Sequence, residues 1–165
     1  MTTFQKINLG LVILVVVIAA WLLLTPGRVT EPGPVRVTTL NTDTVTRISV
    51  VRRDSETLEF TRNGQDWRMQ SPQQGQANPA RINAMLYLAQ APSFAQLPGS
   101  QHDLQQFGLR NPVVTLSLDD EEFLFGSDNP LDKRRYVLHD GVVHLVNDNL
   151  YYQLLQPVEF FLSGD

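Results

Sequence analysis

An unbroken apolar run near the N-terminus constrains this chain more than any other feature. Every residue over 9–24 is apolar or glycine. As a helix rising about 1.5 Å per residue, the stretch 7–24 would cover roughly 27 Å, close to the ~30 Å hydrocarbon core of a bilayer. The run is longer than a typical signal-peptide core, and Leu24-Thr25-Pro26 lacks the small residues of a cleavage site. We therefore predict an uncleaved transmembrane anchor over 7–24.

The residues around this anchor predict how the rest of the chain is arranged. Lys6 lies before it and Arg28 and Arg36 lie after it, so charge alone decides the orientation only weakly. The stretch 1–6 is too short to fold, which makes it a cytoplasmic tail, and the domain follows the anchor. Proline and glycine are frequent after the anchor, which predicts an extended linker over 25–44 and a soluble domain over 45–165. We expect a single-pass protein of the bacterial inner membrane with a periplasmic C-terminal domain.

The composition limits the partners and chemistry open to this domain. Its formal net charge of −4 offers no basic field for phosphates, so nucleic-acid binding lacks its usual driving force. The absence of cysteine excludes disulfides, thiolate metal ligands and cysteine nucleophiles. No Gly-x-Ser-x-Gly, phosphate-binding loop or His-Glu-x-x-His pattern occurs. We therefore predict no catalytic residues and no cofactor.

A first folded unit is predicted from a hairpin turn, after which the spacing of apolar residues changes from that of a strand to that of a helix. Asn63-Gly64 is a strong hairpin signal, and folding the chain about it would pair Phe60 with Trp67. The alternating run over 46–53 would add a third antiparallel strand. Two further pairs would follow in the hairpin, Leu58 with Met69 and Glu59 with Arg68.

A helix should come next in this unit. Asn78 can cap it, Pro79 suits its first position, and Pro92 ends it. Apolar residues recur at the spacing of one buried helical stripe. The stripe comprises Ile82, Met85, Leu86 and Ala89.

A second unit is predicted to repeat this design. Folding about Asp120-Glu121 would pair Leu118 with Phe123, and folding about Asp140-Gly141 would pair Leu138 with Val143. Two further pairs would be Leu116 with Phe125 and Tyr136 with Leu145. Each hairpin then has one apolar face. Asp148 can cap a short second helix through Leu150, Tyr151, Leu154 and Leu155.

These elements together predict an α+β fold. It would consist of antiparallel β-sheet units each followed by a helix, a βββα-like design present twice, preceded by one transmembrane helix. The helices would cover one side of the sheet.

Several short motifs in the soluble part resemble those of a known family. They are Gly64-x-x-Trp67 with Pro72, Phe107-Gly108-Leu109-x-x-Pro112, Gly126 and Tyr136-Val137. In these residues the chain resembles the uncharacterised periplasmic domain of unknown function 4340, which is associated with ABC transporter auxiliary and gliding-motility proteins. The resemblance implies an envelope accessory protein and supplies no catalytic residues. The simpler interpretation of these motif residues is structural. Trp67 should fill the core, and Gly108 should supply a turn before the strand that Pro112 introduces.

Two histidines form the best candidate metal site in the sequence. His139 and His144 flank the Asp140-Gly141 turn, and the hairpin register puts both on the face opposite Leu138 and Val143. A metal site needs a third or fourth ligand, and this spacing supplies none. We therefore interpret them as solvent-facing polar residues and keep metal binding as the alternative.

Two charged runs are interpreted in the same way. Asp119-Asp120-Glu121-Glu122 lacks the spacing of a calcium loop and lies where a tight turn is expected. Lys133-Arg134-Arg135 could meet anionic lipid or a partner, but Asp128 and Asp132 lie beside it. Both are predicted to be solvated.

Two functions of different classes remain. The first is a non-catalytic interaction module of an envelope transport or assembly complex, with ABC transporter components as the partner class that the resemblance implies. It would use an unpaired sheet edge or the apolar C-terminal turn at Phe160 and Phe161. The second is a periplasmic enzyme or a small-ligand or metal-binding protein that uses the face of His139 and His144.

Overall fold

The computed structural model describes Leu14, Val15 and residues 35–164. Leu14 and Val15 are helical and exposed. Apart from these two residues, the tail predicted over 1–6, the anchor predicted over 7–24 and the linker over 25–34 lie outside the described residues. In the part of the chain that the structure describes, no helix is long and apolar enough to cross a membrane.

Residues 35–164 form an α+β fold built on antiparallel sheet. The strands are β1 Val35–Arg36, β2 Arg47–Arg52, β3 Leu58–Asn63, β4 Asp66–Ser71, β5 Gly75–Gln76, β6 Pro92–Ser93, β7 Gln96–Pro98, β8 Val114–Leu118, β9 Glu121–Asp128, β10 Arg134–His139 and β11 Val142–Asn147. Nine of these described strands make one sheet in the order β5-β4-β3-β2-β8-β9-β10-β11-β7, and β1 pairs with β6. The two predicted units thus join through β2 and β8, and both have more than the three predicted strands, with β2 to β5 in the first and β7 to β11 in the second.

Helix α1, Pro79–Gln90, follows the first unit as predicted. The Asn78 side chain accepts a hydrogen bond from the Ala80 amide at 3.0 Å, and Pro79 occupies the first turn. The fully buried residues differ from the predicted stripe in one place, because Leu88 is buried and Leu86 is only partly so. They are Ile82, Met85, Leu88 and Ala89.

Helix α2, Asn149–Leu154, follows the second unit. Asp148 precedes it as predicted, but its side chain makes no capping hydrogen bond. Leu154 is buried, whereas Leu155 is exposed. A 3-10 turn over Val158–Phe161 then ends the domain after Pro157.

The segment 35–44 packs on the domain rather than extending from it. The amides of Val37 and Thr38 donate to the carbonyls of Ala91 and Ala89 at 3.0 and 3.1 Å. Val37 is buried, and a 3-10 turn spans Thr42–Thr44. Residues 35–44, which the predicted boundary at 45 assigns to the linker, therefore belong to the folded domain, because Val37 and Thr38 find partners beside α1.

Two of the three predicted hairpin registers differ from the observed ones by two residues. The β3–β4 loop is Gly64 and Gln65, so Phe60 lies opposite Met69 and Trp67 lies opposite Arg62. The positive φ falls on the first loop residue, Gly64, as in a type II′ turn. A shift by two keeps every side chain on its predicted face, so Trp67 is still buried.

The β8–β9 hairpin shifts in the same way. Its loop is Asp119 and Asp120, which places Leu116 opposite Phe123. Asp119 has a positive φ, and its carboxylate accepts hydrogen bonds from Thr46 and Arg47 at the start of β2. The β10–β11 hairpin keeps the predicted register, with Leu138 opposite Val143. Both of its loop residues have positive φ, as a type I′ turn requires.

The two faces of β10 and β11 are both covered. Val137 and Val146 belong to the core that includes Leu88 of α1 and Leu154 of α2. The predicted apolar face of this hairpin, with Tyr136, Leu138, Val143 and Leu145, therefore lies on the side away from the helices. There Phe107 packs on Tyr136, with ring centroids 4.6 Å apart.

Candidate functional site

The two histidines share a face as predicted, but that face is buried. His139 is 7% exposed and His144 is 3% exposed, so their interpretation as solvent-facing residues is corrected. His139 stacks on Phe123 with ring centroids 4.4 Å apart, and β6 covers His144. The sequence could not show this. The alternation of side chains along a hairpin assigns each residue to one of two faces, but it does not say which face the rest of the fold covers.

Each histidine uses its Nδ1 in a hydrogen bond to the protein. His139 Nδ1 lies 3.0 Å from the Glu122 carbonyl oxygen. His144 Nδ1 lies 3.1 Å from Ser93 Oγ, which itself donates to the Ala95 carbonyl oxygen. Ser93 must therefore accept from His144, which places the proton of the neutral ring on Nδ1. Burial and repulsion from His139 lower the pKa of His144 to about 4.

An open depression of about 320 Å³ lies beside His139 at the Asp140-Gly141 end of the sheet. Asp120, Glu121, Glu122 and Asp140 line it with His139. His139 Nε2 is 3.3 Å from a Glu121 carboxylate oxygen. Among the described residues no three His, Asp or Glu side chains are placed to hold a metal ion together.

The basic run divides into an exposed part and a buried part. Lys133 is exposed and Arg134 is half-buried, while Arg135 is 5% exposed. The guanidinium of Arg135 donates through Nε and Nη2 to the Asp148 carboxylate and through Nη1 to the Gly126 carbonyl. It also lies 3.5 Å from the centroid of the Tyr151 ring. Asp148 makes no helix cap because it pairs with Arg135, and the solvated interpretation of Arg135 is corrected.

The motif residues of the resemblance come together around a bulge in β9. Gly126 and Ser127 together oppose Tyr136, because the β9–β10 register shifts there. The freed Ser127 amide donates to the Phe107 carbonyl oxygen at 2.8 Å. A Cβ on Gly126 would lie 2.1 Å from that oxygen. Glycine is therefore required for the segment 107–109 to lie against β9.

The remaining motif residues have structural positions as well. Gly108 has a φ of +69°, and Leu109 is 2% exposed. Trp67 is 8% exposed and belongs to the core. Pro72 follows directly after β4, and Pro112 lies shortly before β8.

The predicted contact surface at the C-terminal turn is mostly covered. Phe161 is 1% exposed and packs on Phe60, with ring centroids 6.2 Å apart. Phe160 is half-buried beneath the Arg81 guanidinium, which lies 3.8 Å from its ring centroid. These aromatic residues therefore close the core rather than offer an open surface.

An apolar cleft that the sequence analysis did not predict lies between the two helices. We call it the α1–α2 cleft, and its volume is about 260 Å³. Its lining consists of Ala84, Tyr87, Leu88, Ala91, Pro92, Val146, Asn147, Asn149, Leu150 and Gln153, none of them charged. Tyr87 at its margin is 61% exposed.

One sequence signal could have identified this cleft. Ala84, Tyr87 and Leu88 of α1, with Ala91 directly after it, stand at i, i+3, i+4 and i+7, a second apolar stripe that shares Leu88 with the buried one. A second stripe means that α1 is apolar over more than the face that it buries against the sheet.

The comparisons with known proteins agree with the motif cluster. The family described as domain of unknown function (DUF4340) matches residues 67–163, which is more than half of the chain. No curated protein and no solved structure matches the chain. The matched segment begins at Trp67 and contains α1, the Phe107 to Pro112 motif, the Gly126 bulge and the α1–α2 cleft. The chain therefore belongs to the DUF4340 family of domains of unknown function.

Proposed function

We propose that this protein is a non-catalytic interaction module of the bacterial inner membrane. An N-terminal anchor would hold its periplasmic domain beside an envelope transport or assembly complex, such as one with ABC transporter components. The α1–α2 cleft would bind an uncharged peptide segment of a protein in that complex. The cleft itself is the observation that carries this proposal.

The chemistry of the cleft suits a peptide better than a charged metabolite. Its floor is aliphatic, with Leu88, Val146 and Leu150, and can take one or two apolar side chains. Its polar groups are the amides of Asn147, Asn149 and Gln153, which both donate and accept hydrogen bonds. A peptide backbone presents donors and acceptors in turn, so these amides can pair with either.

The surroundings of the cleft also support a protein partner. Tyr87, which lines the cleft on α1, is 61% exposed, and tyrosine is enriched in protein interfaces. Strand addition at a sheet edge is less favoured. The edge strands are β5, with two residues, and β7, with three residues and Pro98, and short edge strands oppose pairing with another chain.

Ligand or metal binding at His139 and His144 has less support. The Nδ1 atoms of both rings are used by Glu122 and Ser93, and the second ring nitrogen of His139 faces Glu121. A ligand would have to replace contacts that bury both rings.

Site-specific photo-crosslinking in intact cells tests the proposal. A benzophenone amino acid at position 87 of the full chain should give a defined protein adduct, while the same probe at exposed Glu59 on β3 should not. Ala84→Phe should abolish the adduct by filling the cleft. Ala80→Phe, one turn earlier and exposed on α1, is the matched control and should preserve it. An adduct that survives Ala84→Phe, or none at position 87, would contradict the proposal.

A further inference from the structure

The loop between β9 and β10 presents an apolar side chain to solvent. Leu131 is 92% exposed, more than any other large hydrophobic residue among those described. Burying a leucine side chain stabilises by roughly 1.5 to 3 kcal/mol, so Leu131 would gain free energy from any contact that removes it from water. A single exposed leucine is common, and its meaning depends on what surrounds it.

The loop holds Leu131 in place by its own hydrogen bonds. Asn129 Oδ1 accepts from the Leu131 amide at 3.0 Å, and the Asn129 carbonyl accepts from the Lys133 amide at 2.9 Å. Asp132 accepts from the Arg134 amide at 3.2 Å. Leu131 is therefore displayed by an ordered turn.

The residues that neighbour this loop have the character of a lipid-facing surface. The Arg134 guanidinium lies 3.6 Å from the centroid of the Phe94 ring, and Phe94 is 44% exposed. Val35, which pairs with Ser93 next to Phe94, is 50% exposed. Apolar groups beside long cationic side chains suit the boundary between headgroups and acyl chains, where the cations can reach the phosphates.

The path of the chain says which surface lies nearby. Val35 pairs with Ser93, and Phe94, which follows Ser93, lies under the guanidinium of Arg134 next to the loop that carries Leu131. The ten residues over 25–34 separate Val35 from the apolar run, and ten residues span at most about 36 Å. If that run is in the bilayer, Val35 can lie no farther than about 36 Å from it.

We infer that Leu131, Phe94 and Val35 form a docking surface for the lipid bilayer, with Leu131 entering the headgroup region. The inference rests on the anchoring proposed above. Arg36, Lys133 and Arg134 lie in or beside the segments that carry this surface, as do Asp128 and Asp132, and Asp132 pairs with Arg134 at 3.2 Å. The local excess is thus one positive charge, so apolar contact contributes more than attraction to anionic lipid.

The test uses the full chain in vesicles of phosphatidylethanolamine and phosphatidylglycerol. Because the chain has no cysteine, Pro130→Cys provides one attachment point for an environment-sensitive fluorophore. We expect a blue-shifted emission that lipid-borne quenchers reduce, and we expect both effects to persist in 0.5 M salt, on the order of a 4 Å Debye length. Leu131→Asp should abolish both. Asp120→Cys, at the other end of β9 and roughly 26 Å away along the strand, is the control and should remain unquenched.

Flotation of the same samples separates the two proposals. Protein that floats with the vesicles after carbonate treatment, but whose label at position 130 is not quenched, would overturn the docking surface and leave the anchor standing. Protein that does not float would overturn the anchor and the docking surface together. Quenching that Leu131→Asp does not change would also overturn the role of Leu131.

Discussion

The two halves of the nine-stranded sheet are stabilised differently. In the half with β2 to β5 and α1, apolar residues such as Ile48, Phe60 and Met69 are fully buried. In the half with β8 to β11 and α2, the core also contains Arg135, His139 and His144, each bonded to a specific partner. Arg52 is the buried charged residue of the first half, and its guanidinium bonds to the carbonyls of Glu56 and Gln156.

This difference predicts which substitutions each half should tolerate. Apolar packing depends on volume and shape, so a smaller apolar side chain preserves part of the stability. A buried polar contact depends on its partner, because a group that loses its partner keeps the cost of desolvation. The first half should therefore respond gradually to conservative changes, and the second half should not.

The largest effect is expected from Trp67→Ala in the first half. Emptying a large aromatic site in the core should lower the free energy of unfolding by roughly 3 to 5 kcal/mol. Trp67→Phe should recover much of this loss, because the site needs apolar volume. Urea unfolding followed by pulse proteolysis measures both. If Trp67→Phe were as damaging as Trp67→Ala, the first half would not be the tolerant one.

A somewhat smaller effect is expected from Asp148→Asn in the second half. This variant keeps the shape of the side chain but leaves the buried Arg135 charge without its counter-ion, which should cost roughly 3 kcal/mol. Arg110→Ala removes an exposed pair with Asp103 and should cost no more than about 1 kcal/mol. The same unfolding assay compares them. Equal losses in the two variants would show that the buried Arg135–Asp148 pair contributes no more to stability than an exposed pair.

Gly126→Ala tests the backbone contact in the second half. A Cβ at this position would lie 2.1 Å from the Phe107 carbonyl oxygen, so β9 and the segment 107–109 must separate. We expect a loss of roughly 2 kcal/mol, in the range of an overpacked site. Gly164→Ala is the control, because nothing lies within 4 Å of its Cβ. Hydrogen exchange at the Ser127 amide should increase only in Gly126→Ala.

The most gradual effect is expected from the pH dependence of His144, because it develops over about 2.5 pH units. Its pKa is about 4 in the folded domain, mainly because of burial, against about 6.5 in an unfolded chain. The unfolded state therefore binds the proton first, and stability falls as the pH drops from about 6.5 to about 4. A shift of this size corresponds to a loss of at most roughly 3 kcal/mol over this window.

The variants His144→Asn and His102→Asn identify the source of this loss. His144→Asn should remove the part of the pH dependence that lies between pH 6.5 and 4, because the amide does not titrate. His102→Asn makes the same substitution at a half-buried ring that hydrogen bonds to the Pro98 carbonyl, and it is the matched control for the loss of an imidazole. Urea unfolding at pH 7 and pH 4.5 makes the comparison. An unchanged pH dependence in His144→Asn would show that another group is responsible.

Local chemistry explains the elements that the sequence predicted well. Asn78 and Pro79 specify the start of α1 because they satisfy or avoid the free amides of a first helical turn. Asp140-Gly141 specified its register because both residues accept the positive φ that a type I′ turn needs. The register predicted from Asn63-Gly64 was wrong by two residues, because Gly64 can also serve as the first residue of a type II′ loop.

The sequence by itself determined the α+β class, the caps, and which side chains share a face of each strand, because these follow from nearest neighbours and from the period of the chain. Only the tertiary structure decided which face was covered. Stacking of Phe123 on His139 and the position of β6 beside His144 bury the two histidines, and packing of Phe107 on the other side of β10 covers Tyr136. The pairing of Arg135 with Asp148 and the α1–α2 cleft likewise depend on contacts between separate elements of the fold. No local sequence pattern encodes those contacts.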